Sequence, residues 1–111
     1  MLQFDSSLDA AFAALADPTR RGIVARLCER EMSVGQLAEP LDMSLSAVGQ
    51  HLRILENSGL VASEKRGRAR YCRVDLDKLS AVERWLQNRR RMTESRLDRL
   101  QRHLSPGKET R

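Results

Sequence analysis

The spacing of apolar residues changes twice along this chain. It is helical up to Gly59, alternates from Leu60 to Val74, and turns helical again from Leu76. Phe4, Leu8, Phe12 and Leu15 recur at helical spacing and predict a first amphipathic helix. Asp17-Pro18 ends it and begins a second. Asp17 can accept hydrogen bonds from the free N–H groups, and Pro18 suits the first turn because no N–H is needed there. This second helix, Thr19 to about Arg30, is expected to bury Ile23, Val24, Leu27 and Cys28 and to carry Arg20, Arg21, Arg26 and Arg30 on its other face. Ser33 and Gln36 have the spacing of a capping box and open a short third helix. Leu37, Ala38 and Leu41 are its core-facing residues, and Pro40 limits its length.

Ser44 caps a fourth helix that runs to Asn57 or Ser58, and Gly59 supplies the left-handed residue that closes it. Two short helices joined by a brief turn, the second longer, make a helix-turn-helix pattern. The alternating stretch "LVASEKRGRARYCRVD" reads as two strands around Arg66-Gly67-Arg68, a hairpin with glycine in its loop. The last helical stretch carries Leu79, Val82, Trp85, Leu86, Met92, Leu97, Leu100 and Leu104. A helix that long on so small a body cannot bury its whole stripe at home. The expected fold is mainly α with a small β-hairpin: a winged helix-turn-helix of order α-α-α-α-β-β-α with a long C-terminal helix. It forms one domain over residues 1–104, followed by a polar tail, 105–111.

The fourth helix raises the functional question. With about 100° per residue, Val48, Leu52 and Leu55 share one side, while Ser46, Gly49, Gln50, Arg53 and Asn57 fall on the other. A solvated face is ordinarily filled with Glu and Lys; this one is small, hydrogen-bonding and singly cationic. The major groove of B-DNA admits an α-helix and is read by this chemistry: Arg53 can fork onto guanine O6 and N7, and Gln50 can pair with adenine N6 and N7. Gly49 and Ser46 keep the surface low. The helix N-terminus and the hydroxyls of Ser44 and Ser46 suit phosphate. The hairpin adds Lys65, Arg66, Arg68, Arg70 and Arg73 with no acid among them, placed to grip the backbone beside the groove.

Charge agrees with that direction. Among 111 residues, 20 are Lys or Arg and 15 are Asp or Glu, a net charge of +5 that favours an anionic partner, nucleic acid or a membrane surface. No stretch approaches the ~18 consecutive apolar residues of a spanning helix. The opening MLQFDSSLDA lacks the basic start and apolar middle of a secretory leader, so a cytoplasmic protein is expected. Cys28 and Cys72 are too few and too far apart for a disulfide framework, and both read as small buried hydrophobes. One Trp, one Tyr and two Phe, all at core-like positions, leave little to stack single-stranded bases. Two histidines and two isolated cysteines provide neither a nucleophile–base–orienter set nor converging metal ligands. No catalytic residue, metal site or cofactor is expected. The rival reading is a winged-helix interaction module whose basic wing meets an acidic protein.

The segments "ALADPTRRGIVARL", "SVGQLAEPLDMSLSAVGQHLRILENSGLV" and "GRARYCRVD" together resemble the ArsR family of bacterial winged-helix repressors, from about Ala14 to Leu104. The resemblance implies a homodimer joined through the first and last helices, Phe4, Leu8, Phe12, Leu86, Leu97 and Leu100 among them, bound to a double-stranded operator with dyad symmetry. By match of motif, Ser44, Ser46, Gln50, His51 and Arg53 fall on the family's recognition helix, and Arg66 to Arg70 on its wing. Metal-sensing members carry Cys-x-Cys before the recognition helix, where this chain has Ser33-Val34-Gly35-Gln36, and its only histidine on the last helix is His103. The chain therefore resembles the branch without metal-ligand motifs, leaving a small molecule or an oxidant acting at Cys28 as the open choices of effector. Gly49 stands where a serine is expected.

Overall fold

Three side-chain caps and one glycine divide the helical half of this chain. The computed structural model describes residues 6–104; Phe4 and the polar tail lie outside the described residues. The elements are α1 (Ser6–Leu15), α2 (Pro18–Glu29), β1 (Met32–Ser33), α3 (Val34–Ala38), α4 (Leu45–Asn57), β2 (Val61–Arg66), β3 (Ala69–Val74) and α5 (Leu76–Leu104). Asp17 accepts from the Arg20 N–H at 3.0 Å, with Pro18 in the first turn of α2. Ser33 and Gln36 close the capping box of α3 at 3.1 and 2.8 Å. Ser44 accepts from the Ala47 N–H at 3.1 Å and starts α4. At the far end of α4, Leu60 N–H donates to Leu55 C=O at 3.2 Å and Gly59 N–H to Glu56 C=O at 3.0 Å. That paired closure needs a left-handed residue, and Gly59 takes φ 85°.

The sheet has three antiparallel strands in the order β1-β3-β2. Met32 lies opposite Cys72 and Ser33 opposite Tyr71, while the hairpin runs in register from Val61–Val74 to Arg66–Ala69. Gly67, φ 62°, opens the two-residue loop, as a glycine must in a type II′ turn. The expected two-stranded hairpin thus gains a third strand. Two residues cannot display an alternation, so Met32 and Ser33 read from the sequence only as the approach to a capped helix.

One core joins all the layers. Ala11 and Ala14 of α1, Ile23 and Leu27 of α2, Leu37 of α3, Val48 and Leu55 of α4, and Val82 of α5 meet Met32, Leu60, Val61 and Cys72 of the sheet region. Burial pushes the Cys72 thiol up to about 11, with the nearby Glu56 charge adding to it, so it stays protonated at neutral pH. Cys28, expected inside, is exposed. It lies about 40° beyond Val24 in the last turn of α2 and falls off the edge of the buried arc.

Only the start of α5 packs on the body. Leu79 and Val82 reach the core, and Phe12 meets Trp85 edge-on, ring centroids 5.4 Å apart at 70°. Past Trp85 the helix runs free, giving the molecule extents of 69 × 33 × 22 Å. Leu86, Met92, Leu97, Leu100 and Leu104 stand exposed along it. Trp85 is itself 40% exposed, a correction to the expectation that every aromatic sits in the core.

Candidate nucleic-acid interface

α4 is held from one side only. Val48, Leu52 and Leu55 are buried, while Ser46, Gln50, Arg53 and Asn57 are exposed and their side chains have no partner among the described residues. Ser44 is exposed as well, its Oγ occupied in capping the helix. Besides Ser44, three of the residues expected to face DNA, His51, Arg66 and Arg70, are engaged by their own chain. His51 is partly buried, with Nδ1 3.3 Å from Arg20 Nη1 and 3.9 Å from Asp17 Oδ2, so that edge of its ring faces the start of α2. Asp17 is held below its usual carboxylate range, chiefly by the Arg20 backbone N–H.

Arg66 is the second. Its guanidinium donates to both oxygens of Glu31 at 2.8 Å and to Glu64 at 2.9 Å, and it lies 4.9 Å above the Tyr71 ring. Paired charge-assisted bonds of this kind are the strong ones. They hold the Glu31 carboxyl below its usual range and keep Arg66 fully protonated. Arg66 therefore ties the wing to the residue preceding β1. Arg73 lies 3.7 Å from Glu64. Arg70 donates to Ser63 Oγ at 3.0 Å, and Ser63 in turn donates to Glu56, which links the wing to α4. Lys65 and Arg68 are exposed and without partners among the described residues.

The arginines of α2 are likewise committed. Arg20 Nε donates to Ala14 C=O at 2.7 Å and Arg21 to Leu15 C=O at 2.8 Å, at the end of α1. Arg26 donates to Leu37 and Gln36 carbonyls at 2.8 and 2.9 Å, at the end of α3. Cations satisfy the last carbonyls of a helix well. The residues gathered for an outside ligand are thus Ser46, Gln50, Arg53 and Asn57 on α4, with Lys65 and Arg68 on the wing. Sequence reasoning missed Leu45, 63% exposed in the first turn of α4, because a leucine about 60° from Val48 reads as core.

Of the residues expected between subunits, Leu8 and Phe12 are partly buried against their own core, and Leu86, Leu97 and Leu100 are open. Among the described residues, no three His, Cys, Asp or Glu side chains are grouped to hold a metal ion, and no helix is long and apolar enough to cross a membrane.

Residues 17–63, from the cap of α2 through α4 into β2, match the family described as bacterial regulatory protein, arsR family. A crystal structure of an ArsR family transcriptional regulator, RHA00566, superposes with a TM-score of 0.77 at 40% identity, over 86% of this chain and 98% of that one. The chain belongs to the ArsR family. Its similarity extends to the HTH-type transcriptional regulator Rv2034 of Mycobacterium tuberculosis, 43% identical over 76 residues, 68% of this chain and 71% of that protein. The transcriptional repressor SdpR of Bacillus subtilis is 28% identical over 81 residues, 73% of this chain and 90% of that protein. The ArsR family consists of DNA-binding transcriptional regulators, not enzymes, and this winged helix is one of them.

Proposed function

We propose that this chain is a cytoplasmic, sequence-specific repressor that binds a double-stranded operator of dyad symmetry as a homodimer. The observation that carries the reading is the outward side of α4, where Ser46, Gln50, Arg53 and Asn57 are exposed and unpartnered beside a helix face pinned to the core. Arg53 and Gln50 read base edges, and Lys65 and Arg68 hold phosphates. Residues 1–104 act as one unit for DNA binding and dimerisation, with 105–111 as a tail. Exposed Leu86, Leu97, Leu100 and Leu104 on α5 favour a second copy, since a soluble monomer rarely leaves so long an apolar stripe open.

Light scattering at micromolar concentration is expected to give twice the chain mass, and footprinting of the gene's upstream region two protected half-sites about 34–36 Å apart. A monomeric mass, or protection indifferent to sequence, overturns this reading. No cofactor is required. Operator affinity is expected to be the same with chelator and with stoichiometric zinc, because Cys28, Cys72, His51 and His103 lie on four different elements. A tenfold loss on adding zinc would return the chain to the metal-sensing branch. The inducer is then a small molecule or an oxidant acting at the exposed Cys28.

A further inference from the structure

Gly49 lies in the middle of α4, where only proline is a poorer helix former. Nothing in the fold asks for glycine there. Its φ is not positive, and a Cβ at this position meets no atom within 4 Å. Gly59 shows the contrast: φ is 85°, and a Cβ would come within 2.9 Å of Lys78 Cε. The missing side chain at Gly49 leaves open space on the outward flank of α4, as at Gly22 on α2, and its neighbours decide whether anything fills it.

Its neighbours indicate what. Leu45, Gly49 and Arg53 are spaced four residues apart and form one row along the flank of α4. At one end stands Leu45, 63% exposed in the first turn and absent from the core. At the other stands Arg53, exposed and without a partner among the described residues. The row is an apolar wall, a notch and a cation. In the major groove, the 5-methyl group of thymine is the one apolar feature the bases present, and the N-terminal turns of a recognition helix are the part that meets base edges.

We propose that this row reads a thymine next to a guanine, the thymine methyl entering the notch over Gly49 against Leu45 while Arg53 takes guanine O6 and N7. The proposal rests on the operator-binding function above and names part of its base code. Cytosine at the same place carries no methyl group at C5, leaves the notch over Gly49 empty and is bound more weakly on that ground.

The test begins with a site selected from a randomised duplex pool by the full-length protein. Each thymine is then replaced singly by deoxyuridine, which deletes only the methyl group. The wild type is expected to lose about fourfold in affinity at one thymine per half-site, the worth of burying one methyl. Leu45→Ala is expected to lose that sensitivity. Gly49→Ala fills the notch: it should melt about 2–6 °C higher, as a better helix former does, yet bind the thymine site about tenfold more weakly. Deoxyuridine at the same thymine should restore part of that loss, so one base change harms the wild type and helps the variant. The inference is overturned if no single replacement changes wild-type affinity by more than about twofold, if Leu45→Ala keeps the wild-type sensitivity, or if Gly49→Ala binds as the wild type does. If the pool yields no selected site at all, operator reading itself falls; failure of the notch alone leaves the selection intact.

Discussion

α2 and α4 belong to the same small body, and arginine does opposite things in them. Arg20, Arg21 and Arg26 of α2 all reach carbonyl oxygens at the ends of α1 and α3. Arg53, the only arginine of α4, reaches nothing among the described residues. Counting cations would favour α2 over α4 as the face for DNA; between these two helices the unpaired arginine lies on α4, in keeping with the proposed reading. The wing repeats the division over a few residues, with Arg66 bound by Glu31 and Glu64 and Arg68 unpartnered. Positive charge in a DNA-binding protein is therefore of two kinds, one holding the chain together and one held out.

The division can be broken by substitution, and the largest effect is expected at Arg53. Arg53→Ala should cost about 1–3 kcal/mol on the cognate site and relax discrimination at one base position, with the melting temperature unchanged. Competition binding against single-base variants of the operator checks both parts. Arg26→Ala should do the reverse, losing about 1–2 kcal/mol of folding stability in denaturant melts because two carbonyls of α3 lose a charged donor. Its folded fraction should select the same operator as the wild type; a shifted preference would erase the distinction.

Within the wing the expected difference is smaller but more specific. Arg68→Ala should weaken cognate and random DNA alike and reduce the slope of log affinity against log salt by about one unit. Arg66→Ala should leave that slope unchanged and lower the thermal stability instead. Equal slopes for the two variants would mean that Arg66 leaves Glu31 to reach phosphate.

The smallest effect is in acid. The Asp17 and Glu31 carboxyls lie below their ordinary values of 3.8 and 4.5, held there by the Arg20 N–H and by Arg66. Because they bind protons less readily when folded than when unfolded, their contribution is present above those values and is lost as pH falls through the lowered ones. Thermal melts from about pH 6 down to about pH 3 should therefore show a falling midpoint, and Glu31→Gln should flatten part of the fall.

What was legible in the sequence was local. Asp17, Ser33, Ser44 and Gly59 mark helix ends by bonds that span a few residues, so each boundary could be read from its own neighbourhood. The alternation around Gly67 located the wing, and the period of Val48, Leu52 and Leu55 set the outward face of α4. What escaped depends on distant partners. Glu31 and Arg66 are 35 residues apart, and His51 and Arg20 are 31 apart, pairings that leave no periodic trace. β1 was too short to alternate. Cys28 and Leu45 sit at the edges of buried arcs, where a helical wheel cannot decide between inside and outside.

The strand order β1-β3-β2 leaves β2 as an outer strand with no partner beyond it among the described residues. Six residues of free edge are enough to recruit a strand from another molecule, the first step toward aggregation. In this wing the exposed outer half of that edge is Glu64-Lys65-Arg66, charges of both signs that discourage a second chain from docking. In the proposed complex Lys65 meets phosphate, and away from DNA it guards a sheet edge. Neutralising the wing would weaken operator binding and, in concentrated protein away from DNA, lower solubility as well.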